Sequence, residues 1–306
     1  MNAREWALIV FTVLTQMSVG SFLVLGVVHF FAARKAGMEE ADRLSDRALL
    51  SIVVVLALAM LASLLHLGNP INAPRAVTNL ATSWLSREVL SGVVFAILGV
   101  IFAVMQWRKV ASFAVRNVIA WITALIGLIL VFCESMIYML PTEPSWNTLT
   151  TPVSFYTTTL LLGSLAMGAA FVANYAYVQR KNPGCADAQC ELMRGALRWI
   201  AIASILLVGI DLVVIPVYFA LLVTGPSAAV SSAKLIVDHF MSVFVLRLVL
   251  AFIGAGVFGV FLYQNAQSAG RERILGYQAY SAFVLVLVAE VLGRFLFYAT
   301  HIRIGV

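Results

Sequence analysis

The chain has 306 residues, 62% apolar and only 11% charged, with a formal net charge of +6 at pH 7. At a mean hydropathy of +0.99 it is excluded from the soluble globular class, in which roughly 25% of residues are charged. It reads as a membrane protein, and because its apolar runs are continuous rather than alternating, as an all-α one rather than a β-barrel.

A hydrocarbon core of about 30 Å takes roughly 20 apolar residues per helix. Eight runs meet that length, at about 6–33, 48–66, 88–107, 115–140, 152–178, 197–223, 240–266 and 279–301. The first is too long for a cleavable signal peptide and lacks a small-residue cleavage site at its end, so it is expected to stay as a membrane helix. With no internal repeat, low-complexity tract or long linker, residues 1–306 form a single integral-membrane domain, a bundle of eight transmembrane helices.

Orientation follows from Lys and Arg in short loops. The first, third, fifth and seventh connections hold Arg34, Lys35, Arg43 and Arg47, then Arg108, Lys109 and Arg116, then Arg180, Lys181, Arg194 and Arg198, and finally Arg271 and Arg273, which is most of the 20 basic residues. The other side holds Arg4, Arg75, Arg87, Lys234 and Arg303. The basic loops are therefore expected in the cytoplasm and both termini outside, which is periplasmic in a bacterium. The pI of 9.4 follows from this topology and gives no reason to expect nucleic acid as a partner. Cys133, Cys185 and Cys190 provide neither a disulfide framework nor the four thiolates of an iron–sulfur cluster.

The stretch LLHLGNPINAPRAVTNLATSWLSREVL, residues 64–90, joins the second and third spans on the outer side. Helix 2 is expected to stop near His66, before Gly68, Pro70 and Pro74. Ser86 is the expected cap of helix 3, with Glu88 in its first turn at the positive end of the helix dipole. Antiparallel neighbours bring His66 and Glu88 to one depth. An imidazole and a carboxylate there suit hydrogen bonding to a quinol hydroxyl and acceptance of its protons. On these two residues alone, an interfacial histidine and a helix-capping acid is the simpler reading, because polar groups at helix ends are cheap.

The wording of the segment adds to this. LLHLGNP followed by SWLSREVLSG, the opening EWALIVFTVLTQMSVG, the eight-span layout and EVLGRFLFYA in the last span together resemble the membrane anchor subunit of the bacterial anaerobic dimethyl sulfoxide reductase family over essentially the full chain. The resemblance implies a multi-pass protein of the bacterial inner membrane. It would bind and oxidise menaquinol in anaerobic respiration and carry no haem, iron–sulfur cluster or molybdenum itself. It would pass electrons to a four-cluster iron–sulfur subunit that serves a molybdopterin catalytic subunit, and with the outer topology both partners dock on the periplasmic face. The anchor would have no terminal reductase activity of its own. The family's functional histidine and glutamate match His66, as a quinol hydrogen-bond partner, and Glu88, as proton acceptor. Asn69, Arg75 and Arg87 fall in the same stretch and complete the expected pocket.

The outer loop PTEPSWNTLTTP, residues 141–152, has no basic residue and suits either a stiff docking contact or a simple connector. Glu134, Asp211, Arg247, Glu290 and Arg294 lie inside spans, where an unpaired charge costs roughly 2.5–3.5 kcal/mol. Glu290 and Arg294 are spaced four apart and are expected to pair along helix 8. Asp211 and Arg247 are expected to pair between helices. Glu134 has no evident partner, which leaves proton exit or partner docking open for it. Two other functions stay in view. One is a haem-containing cytochrome b subunit, with a single haem held by His66 and His239. The other is a secondary transporter with an ion site at Asp211, where Pro216 could break the helix.

Overall fold

The computed structural model describes residues 3–66, 75–181 and 186–305. Among these, α1 spans Ala3–Ala36, α2 Met38–His66, α3 Trp84–Arg108, α4 Phe113–Ile137, α5 Thr150–Lys181, α6 Ala186–Val223, α7 Ser227–His239, α8 Met241–Asn265 and α9 Glu272–Ala299. All but α7 are long and apolar enough to cross a membrane, and the described residues contain no strand. The eight spans read from the sequence are all present.

The helices do not coincide with the apolar runs at every end. Helix 2 begins at Met38 rather than 48 and helix 6 at Ala186 rather than 197. On α2 the added turns are charged, and charged residues support a helix in water when they pair along it. Arg43 holds Glu39 and Glu40 at 2.7 and 3.0 Å on α2, the (i, i+3) and (i, i+4) spacings that stabilise an exposed face. At the other extreme, helix 4 ends at Ile137 rather than 140, and helix 8 of the sequence reading, now α9, covers 272–299 rather than 279–301. The short α7 has no counterpart in the sequence reading. It buries a small-residue stripe, Ala228, Ala229, Ser232, Ala233 and Ile236, and Leu222 and Ile236 anchor a separate apolar cluster with Phe219 and Phe244.

The centre of the bundle is α1 and α5, whose apolar stretches are 72% and 78% buried, against 22% for α8. Glycine makes this possible. A Cβ on Gly20 would collide with the Thr159 carbonyl, and one on Gly163 with the Gly20 backbone, so the two helix axes approach as closely as small-residue interfaces in membranes allow. Gly163→Ala is expected to destabilise the bundle by about 1–3 kcal/mol through overpacking. A thermal melt of the detergent-solubilised protein measures this, and an unchanged midpoint would show that the helices separate without loss. The remaining spans divide around this pair, with α2, α3 and α4 on one side and α6, α8 and α9 on the other. Within α8, residues Phe252–Val257 form one π turn, where Gly254 presses against Val286 and Leu285 of α9.

Candidate functional site

The start of α3 is fixed one turn earlier than the sequence suggests. Ser83, not Ser86, is the N-cap. Its backbone is extended (φ −111°, ψ 119°) and its hydroxyl accepts the Ser86 N–H at 3.3 Å, so Trp84 opens the helix and Glu88 sits in its second turn. Glu88 is buried, at 7% exposure. The Ser91 hydroxyl below it donates to the Arg87 and Glu88 carbonyls, leaving the Glu88 carboxylate without a hydrogen-bond donor among the described residues.

Arg87 points elsewhere. Its Nε and Nη2 donate to the Leu80 and Ala81 carbonyls at 2.8 and 2.7 Å, and its guanidinium covers the Trp84 ring at 4.1 Å. It thus clamps the connecting segment onto the start of α3. Arg75 is exposed, in a short 3₁₀ turn at residues 75–77. His66 is the last residue of α2, at the same end of the bundle as Glu88. Its side chain, and Asn69 entirely, lie outside the described residues.

Behind Glu88 a series of buried polar groups crosses the bundle. Glu88 lies within electrostatic reach of Glu134 on α4. Glu134, expected to lack a partner, has one: Gln16 of α1 donates from Nε2 to its Oε2 at 3.0 Å. Arg294 of α9 in turn donates to Gln16 Oε1 at 3.0 Å and lies 3.8 Å over the Phe155 ring. The Thr158 hydroxyl donates to Glu290 at 2.7 Å. Arg247 donates to both Asp211 oxygens at 3.3 Å, the interhelical pair read from the sequence. The expected Glu290–Arg294 pair is not made directly. Each finds a closer partner on α1 or α5, although the two remain within electrostatic reach. Asp211, Arg247, Glu290, Arg294, Thr158 and Tyr218 border one cavity of about 90 Å³.

Gln16 is the residue missed from sequence. It is fully buried, and its amide bridges Glu134 and Arg294, which lie within electrostatic reach of each other. The available signal was an amide in the middle of the first apolar run, where a polar group needs a partner.

The loop of residues 141–152 is braced rather than free. Trp146 donates from Nε1 to the Phe297 carbonyl at 2.8 Å and stacks on His301 at 4.3 Å, and the Ile304 N–H donates to the Thr142 carbonyl at 2.9 Å. Beneath it, the Tyr138 and Tyr298 hydroxyls meet at 2.6 Å. The remaining histidines are dispersed: His29 meets Asp42 at 3.0 Å near the basic loops, and His239 is exposed at the end of α7. No group of three or more His, Cys, Asp or Glu among the described residues has an arrangement suited to a metal ion. Pro216 lies inside an unbroken α6, so the helix break on which a transporter reading would rest is absent.

These features define a multi-pass membrane subunit whose buried acid sits at one end of the bundle. The chain belongs to the family described as DMSO reductase anchor subunit (DmsC), whose family model matches residues 1–300, and it is accordingly the inner-membrane anchor of a reductase complex rather than its catalytic subunit. It is 28% identical over 309 residues to the C subunit of the anaerobic dimethyl sulfoxide reductase of Escherichia coli (strain K12), covering 99% of this chain and 96% of the relative. Similarity to the YnfH subunit of the same organism's anaerobic dimethyl sulfoxide reductase is 27% over 304 residues, with the same coverage. The corresponding C subunit of Haemophilus influenzae is 27% identical over 302 residues, covering 98% of this chain and 96% of the relative.

Proposed function

We propose that this anchor binds and oxidises a quinol, menaquinol in an anaerobic respiratory setting, between the ends of α2 and α3. The observation that carries the reading is Glu88: a buried carboxylate with no donor among the described residues, one helix connection away from His66. A carboxylate held in the membrane without a partner has no structural use for its charge and is free to accept a proton. Oxidising one quinol releases two electrons and two protons. Glu88 takes the two hydroxyl protons in turn, passing the first on before the second arrives, as His66 holds the head group; Asn69 and Arg75 complete the proposed pocket, and Arg87 fixes Leu80 and Ala81 to the start of α3. The electrons leave to an iron–sulfur subunit with four clusters and then to a molybdopterin catalytic subunit, which sets the terminal acceptor. Glu134, close to Glu88 and tied through Gln16 to Arg294, is suited to receive the proton next.

Two experiments test this reading. Affinity purification of the full-length protein from mild detergent is expected to bring down an iron–sulfur protein and a molybdopterin protein, and recovery of the anchor alone would count against an anchor role. The charge distribution supports basic loops in the cytoplasm, and on this reading the partners dock on the periplasmic face, so a reporter fused after Val306 is expected to be active only if it functions in the periplasm. Activity from a reporter that functions only in the cytoplasm would invert the topology and move the Glu88 end to the inner face.

A further inference from the structure

At the end of the bundle that carries the basic loops, opposite Glu88, α1 to α4 enclose a second polar cavity of about 50 Å³. Its polar lining is His29, Ser45, Gln106, Arg116 and Asn117, with no carboxylate among the lining residues. Arg116 is 9% exposed, and its Nε and Nη1 are buried without a hydrogen-bond acceptor. The Ser45 hydroxyl is equally buried and unpartnered. Buried donors left open in this way are rare and call for an acceptor. The nearby acids do not supply it. Asp42 is taken by His29 at 3.0 Å and Lys109 at 2.8 Å, and Asp46 by Lys109 at 3.0 Å and Gln106 at 2.9 Å. Arg116 also lies in the first turn of α4, where the helix dipole favours an anion.

The surroundings of the cavity are those of an amphiphile. Phe22 and Leu49 are shared with an apolar cavity of about 160 Å³ between α2 and α3, lined by Ile52, Leu56, Phe95 and Gly99 among others. Phe22, Gly26, Asn117 and Ala120 are shared with a narrower groove between α1 and α4 that continues past Trp121. A charged recess thus opens onto two apolar slots.

We propose that this recess binds the phosphate of a membrane phospholipid, with the Arg116 guanidinium and the Ser45 hydroxyl donating to the phosphate oxygens and one acyl tail entering each slot. Basic pockets between transmembrane helices are a known form of lipid headgroup site, and a guanidinium matches phosphate geometry closely. A quinone head group fits less well, because it offers no full negative charge to an unpaired guanidinium. This site is independent of the quinol reading, which concerns the other end of α2 and α3.

The test is native mass spectrometry of the assembled complex, purified in mild detergent and washed in steps of increasing detergent. The wild-type complex is expected to keep one phospholipid through washes that strip the rest. Arg116→Gln should lower the retained occupancy about tenfold, the effect of losing hydrogen bonds to a charged group, and Arg116→Lys should keep part of it. If Arg116→Gln does not accumulate, Ser45→Ala in the same washes should still lower retention measurably. A parallel wash with inorganic phosphate separates the two sources of the anion, and the lipid should remain bound. Equal retention in wild type and variants, replacement of the lipid by free phosphate, or a retained quinone in place of a phospholipid would each overturn the proposal.

Discussion

Arg247→Leu is expected to deplete the protein from the membrane severely, because it strands Asp211. That acid is 4% exposed and has both oxygens on Arg247 Nη2. The arginine is wedged in place, since a Cβ on Gly293 would collide with its guanidinium. Removing one partner of a buried ion pair costs about 3–5 kcal/mol, most of it the penalty on the charge left behind, which corresponds to a shift of roughly two to four orders of magnitude in the folding equilibrium. The double variant Asp211→Asn with Arg247→Leu removes both charges and is expected to accumulate to a higher level than the single one. Arg294 remains within reach of Glu290, so that acid keeps a counter-charge. Quantitative immunoblotting of isolated membranes measures both variants, and equal depletion would show that the ion pair is not what holds α6 to α8.

The membrane spans and the Asp211–Arg247 pair were legible in the sequence because they follow from local composition and from charge that must be neutralised in lipid. The Glu290–Arg294 pair was misread for a reason that is general to helix spacing. Positions four apart share a face, but the spacing says nothing about what a neighbouring helix presents there. Here Gln16 and the Phe155 ring draw Arg294 toward α1 and α5, while Thr158 holds Glu290. The same limit hid Gln16, whose importance comes from a contact with Glu134 across 118 residues of sequence. In the capping of α3, several serines and threonines near one another compete for the N-cap, and the choice of Ser83 over Ser86 depends on where the connecting segment is anchored, which Arg87 decides through Leu80 and Ala81. The short α7 was overlooked because its small-residue face resembles loop composition until Phe219 and Phe244 are set beside it.

Glu88→Gln is expected to lower quinol oxidation by on the order of 10²-fold, the contribution typical of a positioned general base. The amide keeps the size of the side chain and cannot take a proton at neutral pH. Assembly should survive, because no described residue hydrogen-bonds to the carboxylate and the cap of α3 rests on Ser83. His66→Ala removes the proposed quinol hydrogen bond at the last residue of α2. Artificial dyes reduce the partner subunits directly, so dye-driven turnover should be unaffected in both variants. The most direct measurement is therefore the ratio of quinol-dependent to dye-dependent reduction in membranes carrying wild type, Glu88→Gln or His66→Ala at matched levels of complex. The ratio should fall about 10²-fold for Glu88→Gln and clearly for His66→Ala. A wild-type ratio in both would mean that the quinol is oxidised elsewhere and that Glu88 and His66 only finish the ends of their helices.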